Sequence, residues 1–184
     1  MTARPTTALR ITALSQKKPT RFRLDPDGAA LAALAERLDL LDLRKLSFHG
    51  EIRAQGRSDW RLTGHLGATV VQPCAVTLDP VTTRIEEDVE RRFTPHMPDA
   101  VLDEEGAVEM PEDETLEPLG DAIDPARVME EALALALPLH PRKPDAALSQ
   151  TAFAEPGTRP LTDADVKPFA GLADLKAKLE KGGE

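Results

Sequence analysis

Residues 46–93 contain LSFHGEIRAQG (46–56), WRLTGHLGATVV (60–71) and VTTRIEEDVERRF (81–93), and the two-residue rhythm of these runs decides the fold. In the first, Leu46, Phe48, Gly50 and Ile52 alternate with Ser47, His49, Glu51 and Arg53. In the second, Trp60, Leu62, Gly64, Leu66, Ala68 and Val70 alternate with Arg61, Thr63, His65 and Gly67. The third sets Ile85, Val89 and Phe93 on one parity. Strict alternation gives one buried and one wet face, as in antiparallel strands. Breaks at Gly56–Asp59 and Pro73–Pro80 suit hairpin connections. A three-stranded meander is predicted, extended by an N-terminal strand near Ala8–Leu14 into a curved sheet or small open barrel.

Outside these runs the period changes. DPDGAALAALAERLDLLDL (25–43) spaces Leu31, Leu34, Leu38 and Leu41 by three or four residues, the stripe of a helix, with Asp25-Pro26 as cap and first-turn proline. A basic turn through Lys17 and Lys18 precedes it. DAIDPARVMEEALALALPLHP (121–141) starts at a second cap, Asp124-Pro125, and puts Val128, Met129, Ala132, Leu133 and Leu135 on a stripe that Pro138 stops; its ALALAL run also fits a strand. As a helix it would cover the apolar face of the sheet. The expected class is therefore α+β, a curved antiparallel sheet with two packed helices, in one domain over 1–144. Within it, 95–120 is expected as a long, mobile acidic loop, because prolines and carboxylates without apolar period cannot offset their ordering entropy. Residues 145–184 read as a flexible tail with a short terminal amphipathic helix, where Phe169, Leu172, Leu175 and Leu179 fall near one face.

The 184 residues carry a net charge of −9, but residues 1–92 hold 15 Lys/Arg against 12 Asp/Glu while 93–184 hold 8 against 20. A polyanion would be repelled by the second half and weakly attracted by the first. Aromatics are only 3% and Tyr is absent, which disfavours base stacking. One cysteine, Cys74, excludes an intramolecular disulfide. No apolar run reaches the roughly 18 residues of a membrane span, and no signal-peptide pattern opens the chain, so a cytoplasmic location is expected.

No chemistry stands out. His49, His65, His96, His140 and Cys74 form no metal-ligand spacing, so no metal and no cofactor is expected. Ser15, Ser47 and Ser58 stand in no nucleophile motif, and nothing near Cys74 in sequence would lower its pKa. Glu86, Glu87 and Asp88 are adjacent on a strand and split between its faces. No catalytic residue is visible, and an enzyme is not expected.

The order of these pieces is itself informative. VVQPCAVTLDPVTTRIEEDVERRFTP (70–95), an acidic gap, then DAIDPARVMEEALALALPLHP resembles the YceD-like family of bacterial large ribosomal RNA subunit accumulation proteins. The motif residues are Cys74, Leu78, Pro80, Leu135 and Pro138, and the terminal PFAGLADLKAKL resembles an ending common in one subgroup of such proteins. Some relatives have a second cysteine three residues after the first and further cysteines after the Leu-Pro stretch, suggestive of zinc. Here Thr77 stands at the first of those positions and no cysteine follows His140-Pro141-Arg142. The resemblance thus implies a ribosome-biogenesis factor, without a metal site, that supports accumulation of large-subunit ribosomal RNA. Its expected partner is a ribosomal protein or pre-ribosomal particle, with no membrane and no small-molecule substrate. Asp103, Glu104, Glu105, Glu112, Asp113 and Glu114 are the expected contacts for a basic partner. The alternative is direct RNA contact through the wet face of the sheet by Arg53, Arg61, Arg84 and Arg91.

Overall fold

A computed structural model describes residues 7–97, 115–148, 154–155, 157–159 and 161. The chain divides into two compact units, Met1–Pro144 and Asp145–Glu184. The described residues of the second form turns and irregular chain. The predicted terminal helix around Phe169–Leu179 lies outside the described residues.

The first unit is α+β. In chain order it holds β1 (Leu9–Arg10), β2 (Thr20–Leu24), α1 (Gly28–Arg37), β3 (Asp42–Gln55), β4 (Asp59–Pro73), β5 (Pro80–Thr94), β6 (Leu116–Pro118), β7 (Ala122–Ile123) and α2 (Pro125–Ala136). The main sheet runs β2-β3-β4-β5-β6 and stays open, so it is not a barrel. The meander β3-β4-β5 is antiparallel, with breaks where the sequence places them. Gly56 takes φ +68° in the first turn and Leu78 φ +62° in the second.

The N-terminal expectation is corrected. Only Leu9–Arg10 of the Ala8–Leu14 stretch is strand, and it pairs with β7 in a separate two-stranded ribbon. The strand that extends the meander is β2, whose Phe22 and Leu24 face the core side while Arg21 and Arg23 face the other. The alternation is present in TRFRL, but five residues are too short a run to mark a strand by period alone. Between the two, the Ser15 hydroxyl accepts the N–H of Lys17 and Lys18 and fixes the expected basic turn.

The acidic stretch is corrected too. Its end is ordered: β6 adds to β5 in parallel, with Arg92 N–H donating to the Thr115 carbonyl at 2.8 Å and Leu119 N–H to that of Thr94 at 2.8 Å.

Both expected helices form, but α1 carries only Leu31 and Leu34 of its leucine stripe and ends at Arg37, before Leu38 and Leu41; α2 is a helix rather than the strand its alternation also allowed. The cap of α1 is Asp27, not Asp25: its carboxylate accepts the Ala30 N–H at 2.9 Å, while Asp25 is ion-paired with Arg23. Asp124 caps α2 by accepting the Ala126 N–H at 3.0 Å and also takes the Thr7 hydroxyl. Leu34 and Ala35 of α1 and Val128, Met129, Ala132 and Leu133 of α2 join Phe48, Ile52, Trp60, Leu62, Leu66, Ile85, Val89 and Phe93 in one core. Each large side chain there contributes about 1.5–3 kcal/mol by leaving water. Leu41 and Leu135, expected on the stripes, are instead exposed.

A bulge keeps the core face continuous. The register shifts between Arg44 and Ser47, where Lys45 and Leu46 stand against Ala68 alone, with Lys45 at φ +51°. The extra residue flips the parity, so Leu43 and Leu46, three apart, are both buried.

Candidate functional site

The wet face of the sheet carries Arg21 and Arg23 from β2, His49, Glu51 and Arg53 from β3, Arg61, Thr63, His65 and Thr69 from β4, and Arg84, Glu86, Asp88, Glu90 and Arg92 from β5. Three of the four arginines expected to touch RNA, Arg53, Arg61 and Arg84, are therefore on one face. Each is already engaged. Arg53 binds Glu51, Arg61 Nη2 reaches Glu90 at 2.6 Å, and Arg84 Nη2 reaches Glu86 at 2.6 Å. The Arg84 guanidinium lies over Gly67, where a Cβ would come within 2.6 Å of Nη2. It also spans to the Lys45 carbonyl and the Thr69 hydroxyl.

At the centre, His65 Nδ1 is 2.7 Å from Asp88 and Nε2 is 2.9 Å from Glu86, with the His49 ring centroid 5.8 Å away. Hydrogen bonds to Asp88 and then Glu86 raise the imidazole pKa above its ordinary range. Glu86 is held below the usual carboxylate range, first by Arg84 and then by His65. Glu51 is likewise lowered by its bond to Arg53. At the middle of the face the charges alternate, and Arg53, Arg61, Arg84 and His65 each meet a carboxylate of their own or a neighbouring strand.

An open hollow of about 850 Å³ lies at the crossing of Gly50 and Gly64, lined by Arg21, Arg23 and His49 together with Glu51, Asp88 and Glu90. Its mixed lining favours neither a polyanion nor a polycation.

Arg91, the fourth expected RNA contact, is not on this face. It registers opposite Leu62 and points to the α2 side, where its side chain is 15% exposed and paired with Glu117 and Glu131. Alternation by two already put it on the parity of Val89 and Phe93. Glu117 is pushed up by burial and by Glu131. Its Oε1 is sealed from solvent and lies 3.2 Å from Arg91 Nε, an ion pair without hydrogen-bond geometry. The six carboxylates expected to hold a basic partner, Asp103, Glu104, Glu105, Glu112, Asp113 and Glu114, lie outside the described residues.

Cys74, Leu78 and Pro80 of the motif gather at the β4–β5 turn, while Leu135 stands on α2. Pro80 opens β5 opposite Pro73, Cys74 N–H donates to the Asp79 carbonyl at 2.7 Å, and Leu78 N–H to the Cys74 carbonyl at 2.9 Å. The chain after α2 returns beside this turn. Ala75 N–H donates to the Pro141 carbonyl at 2.8 Å, Gln72 Nε2 to that of Pro138 at 3.2 Å, and Lys143 Nζ reaches Asp79 at 3.2 Å. Cys74 Sγ is fully buried and accepts the N–H groups of Lys143 and Val76, each at 3.5 Å. Contrary to the sequence reading, its thiol is acidified to about 6, by the Lys143 backbone N–H first and then by Thr77 and Val76. Lys143 is distant in sequence, so no local pattern could reveal it. The sealed sulfur joins the returning chain at Lys143 to the β4–β5 turn. Leu78 and Leu135 of the motif are exposed.

Among the described residues no group of three or more His, Cys, Asp or Glu is placed to hold a metal ion, and no helix is long and apolar enough to cross a membrane. A family model described as "Large ribosomal RNA subunit accumulation protein YceD" matches residues 62–176, a span that includes most of β4, all of β5 and α2, and the Cys74 turn. No curated protein and no solved structure matches at a significant level.

Proposed function

The chain belongs to the YceD family of large ribosomal RNA subunit accumulation proteins, and from that premise we propose that it is a non-enzymatic, cytoplasmic ribosome-biogenesis factor acting through contacts with a basic ribosomal protein or precursor particle. The observation that carries the choice of partner is the engagement of the arginines. Arg53, Arg61, Arg84 and Arg91 each sit in an ion pair with a carboxylate of the same unit. Contact with phosphate would first require breaking these pairs, whereas the acidic excess of residues 93–184 attracts Lys/Arg-rich chains directly.

One feature favours the second reading, RNA contact: Lys17, Lys18 and Arg21 stand exposed beside the outer edge of β2. Co-sedimentation of the full chain with large-subunit precursor particles, at low and at high salt, tests the proposal. Salt-sensitive retention that survives Lys18→Glu and Arg21→Glu supports the protein-contact reading. Retention abolished by those two substitutions transfers the role to RNA, and no retention at low salt removes the physical basis of both.

A further inference from the structure

We propose that the outer edge of β5, from Thr82 to Glu90, is a docking strand for an extended Lys/Arg-rich segment of a partner protein; this rests on the reading above that the partner is basic. β5 is hydrogen-bonded to β4 along its whole length, but on its other side β6 pairs only with Arg92, Phe93 and Thr94. Arg92 turns its N–H toward β6, so the residues of the same parity, Glu90, Asp88, Glu86, Arg84 and Thr82, direct their N–H and carbonyl groups to that side. Among the described residues no strand pairs with them. This edge is long and unbulged, which makes it a template for an added strand.

Beside the edge, β5 and α2 enclose a groove of about 560 Å³ whose apolar lining is Ile85, Val89, Ala132, Leu135 and Ala136. Leu135 is 74% exposed there, an apolar side chain that the fold itself does not use. The alternate side chains of an added strand would rest on that floor.

Charge selects the occupant. Between Thr82 and Arg91 stand four acidic residues (Glu86, Glu87, Asp88, Glu90) against two basic ones; Glu86 and Glu90 are paired with Arg84 and Arg61, so Glu87, and Asp88 beside His65, are the exposed carboxylates that a cationic strand meets first. A second copy pairing edge to edge would bring like charges together. The chain's own residues 98–114 carry eight acidic and no basic groups, so they would meet the same repulsion. The opposite edge, β2, carries Arg21 and Arg23, so the sheet offers a basic border and an acidic one. A cationic strand suits the acidic one.

The test uses the full chain and a labelled dodecapeptide of alternating Arg and Val, with a twin N-methylated at every residue that keeps the charge but cannot join a ladder. The parent peptide is expected to bind and to slow amide exchange at Arg84, Glu86 and Asp88. The twin should bind at least about tenfold more weakly, since several main-chain hydrogen bonds are lost. Glu87→Lys should weaken the parent peptide without disturbing the β4 ladder. Equal binding of the two peptides, protection at β2 instead, or amides of Arg84, Glu86 and Asp88 already as protected in the free chain as those of β4, would each overturn the proposal. If the peptide fails while precursor particles still retain the chain, the edge is wrong and the functional reading stands. Loss of particle retention removes that reading instead.

Discussion

Gly64→Ala should destabilise the protein, although the same exchange usually helps. Replacing glycine by alanine restricts the unfolded chain and gains about 0.4–1 kcal/mol where the site has room. At Gly64 it has none: a Cβ would stand 2.7 Å from Phe48 Cε2, 2.9 Å from Phe48 Cζ and 3.1 Å from the His49 carbonyl oxygen. Phe48 is fully buried, so its ring must shift against close-packed neighbours, a strain of about 1–3 kcal/mol that exceeds the gain. Phe48→Leu removes the two ring carbons that clash. The double variant should therefore be less destabilised than the sum of the singles, by about 1 kcal/mol or more. Gly28→Ala is the control, because a Cβ there meets nothing within 4 Å; it lies in the first turn of α1 and should be neutral or stabilising by up to about 1 kcal/mol. Urea unfolding followed by the fluorescence of the single, buried Trp60 reads all four variants in one assay. A neutral Gly64→Ala, or strictly additive effects in the cycle, would refute the claim that the Phe48 ring fills the place of a side chain at this crossing.

Two further outcomes follow from local geometry. The thiol of Cys74 is lowered from 9.0 to about 6 in the folded chain, so between those values the unfolded chain binds the extra proton. The stability contributed by this group is complete above pH 9 and is lost as pH falls through about 6. Thiolate absorbance in the native protein should titrate near pH 6 and alkylation should stay slow, because the sulfur is sealed; a midpoint near the ordinary thiol value would refute the N–H cage. At the end of α1, Asp39 is left-handed (φ +52°) while Leu40 N–H closes onto the Ala35 carbonyl at 2.9 Å, the geometry of a glycine C-cap. Asp39→Gly should raise the urea midpoint by an amount equivalent to about 0.5–1 kcal/mol, and a fall would show that the aspartate side chain contributes more than its backbone strain costs.

Sequence alone determined the meander, both helices and the parity of nearly every strand residue, because side-chain direction in a strand depends only on odd or even position. Arg91 shares the parity of Val89 and Phe93 and lies on their face. The sequence also determined family membership, since the order of short motifs survives in the chain as written. The tertiary structure decided what depends on residues far apart in sequence. Parallel pairing of β6 with β5, the partners of each wet-face arginine, and the N–H groups that the returning chain near Lys143 aims at Cys74 leave no local period. The same is true of the open edge of β5: a strand's pattern tells which face it buries, but hydrogen bonds run in the plane of the sheet, and only the assembled sheet shows which of them are left without a neighbour.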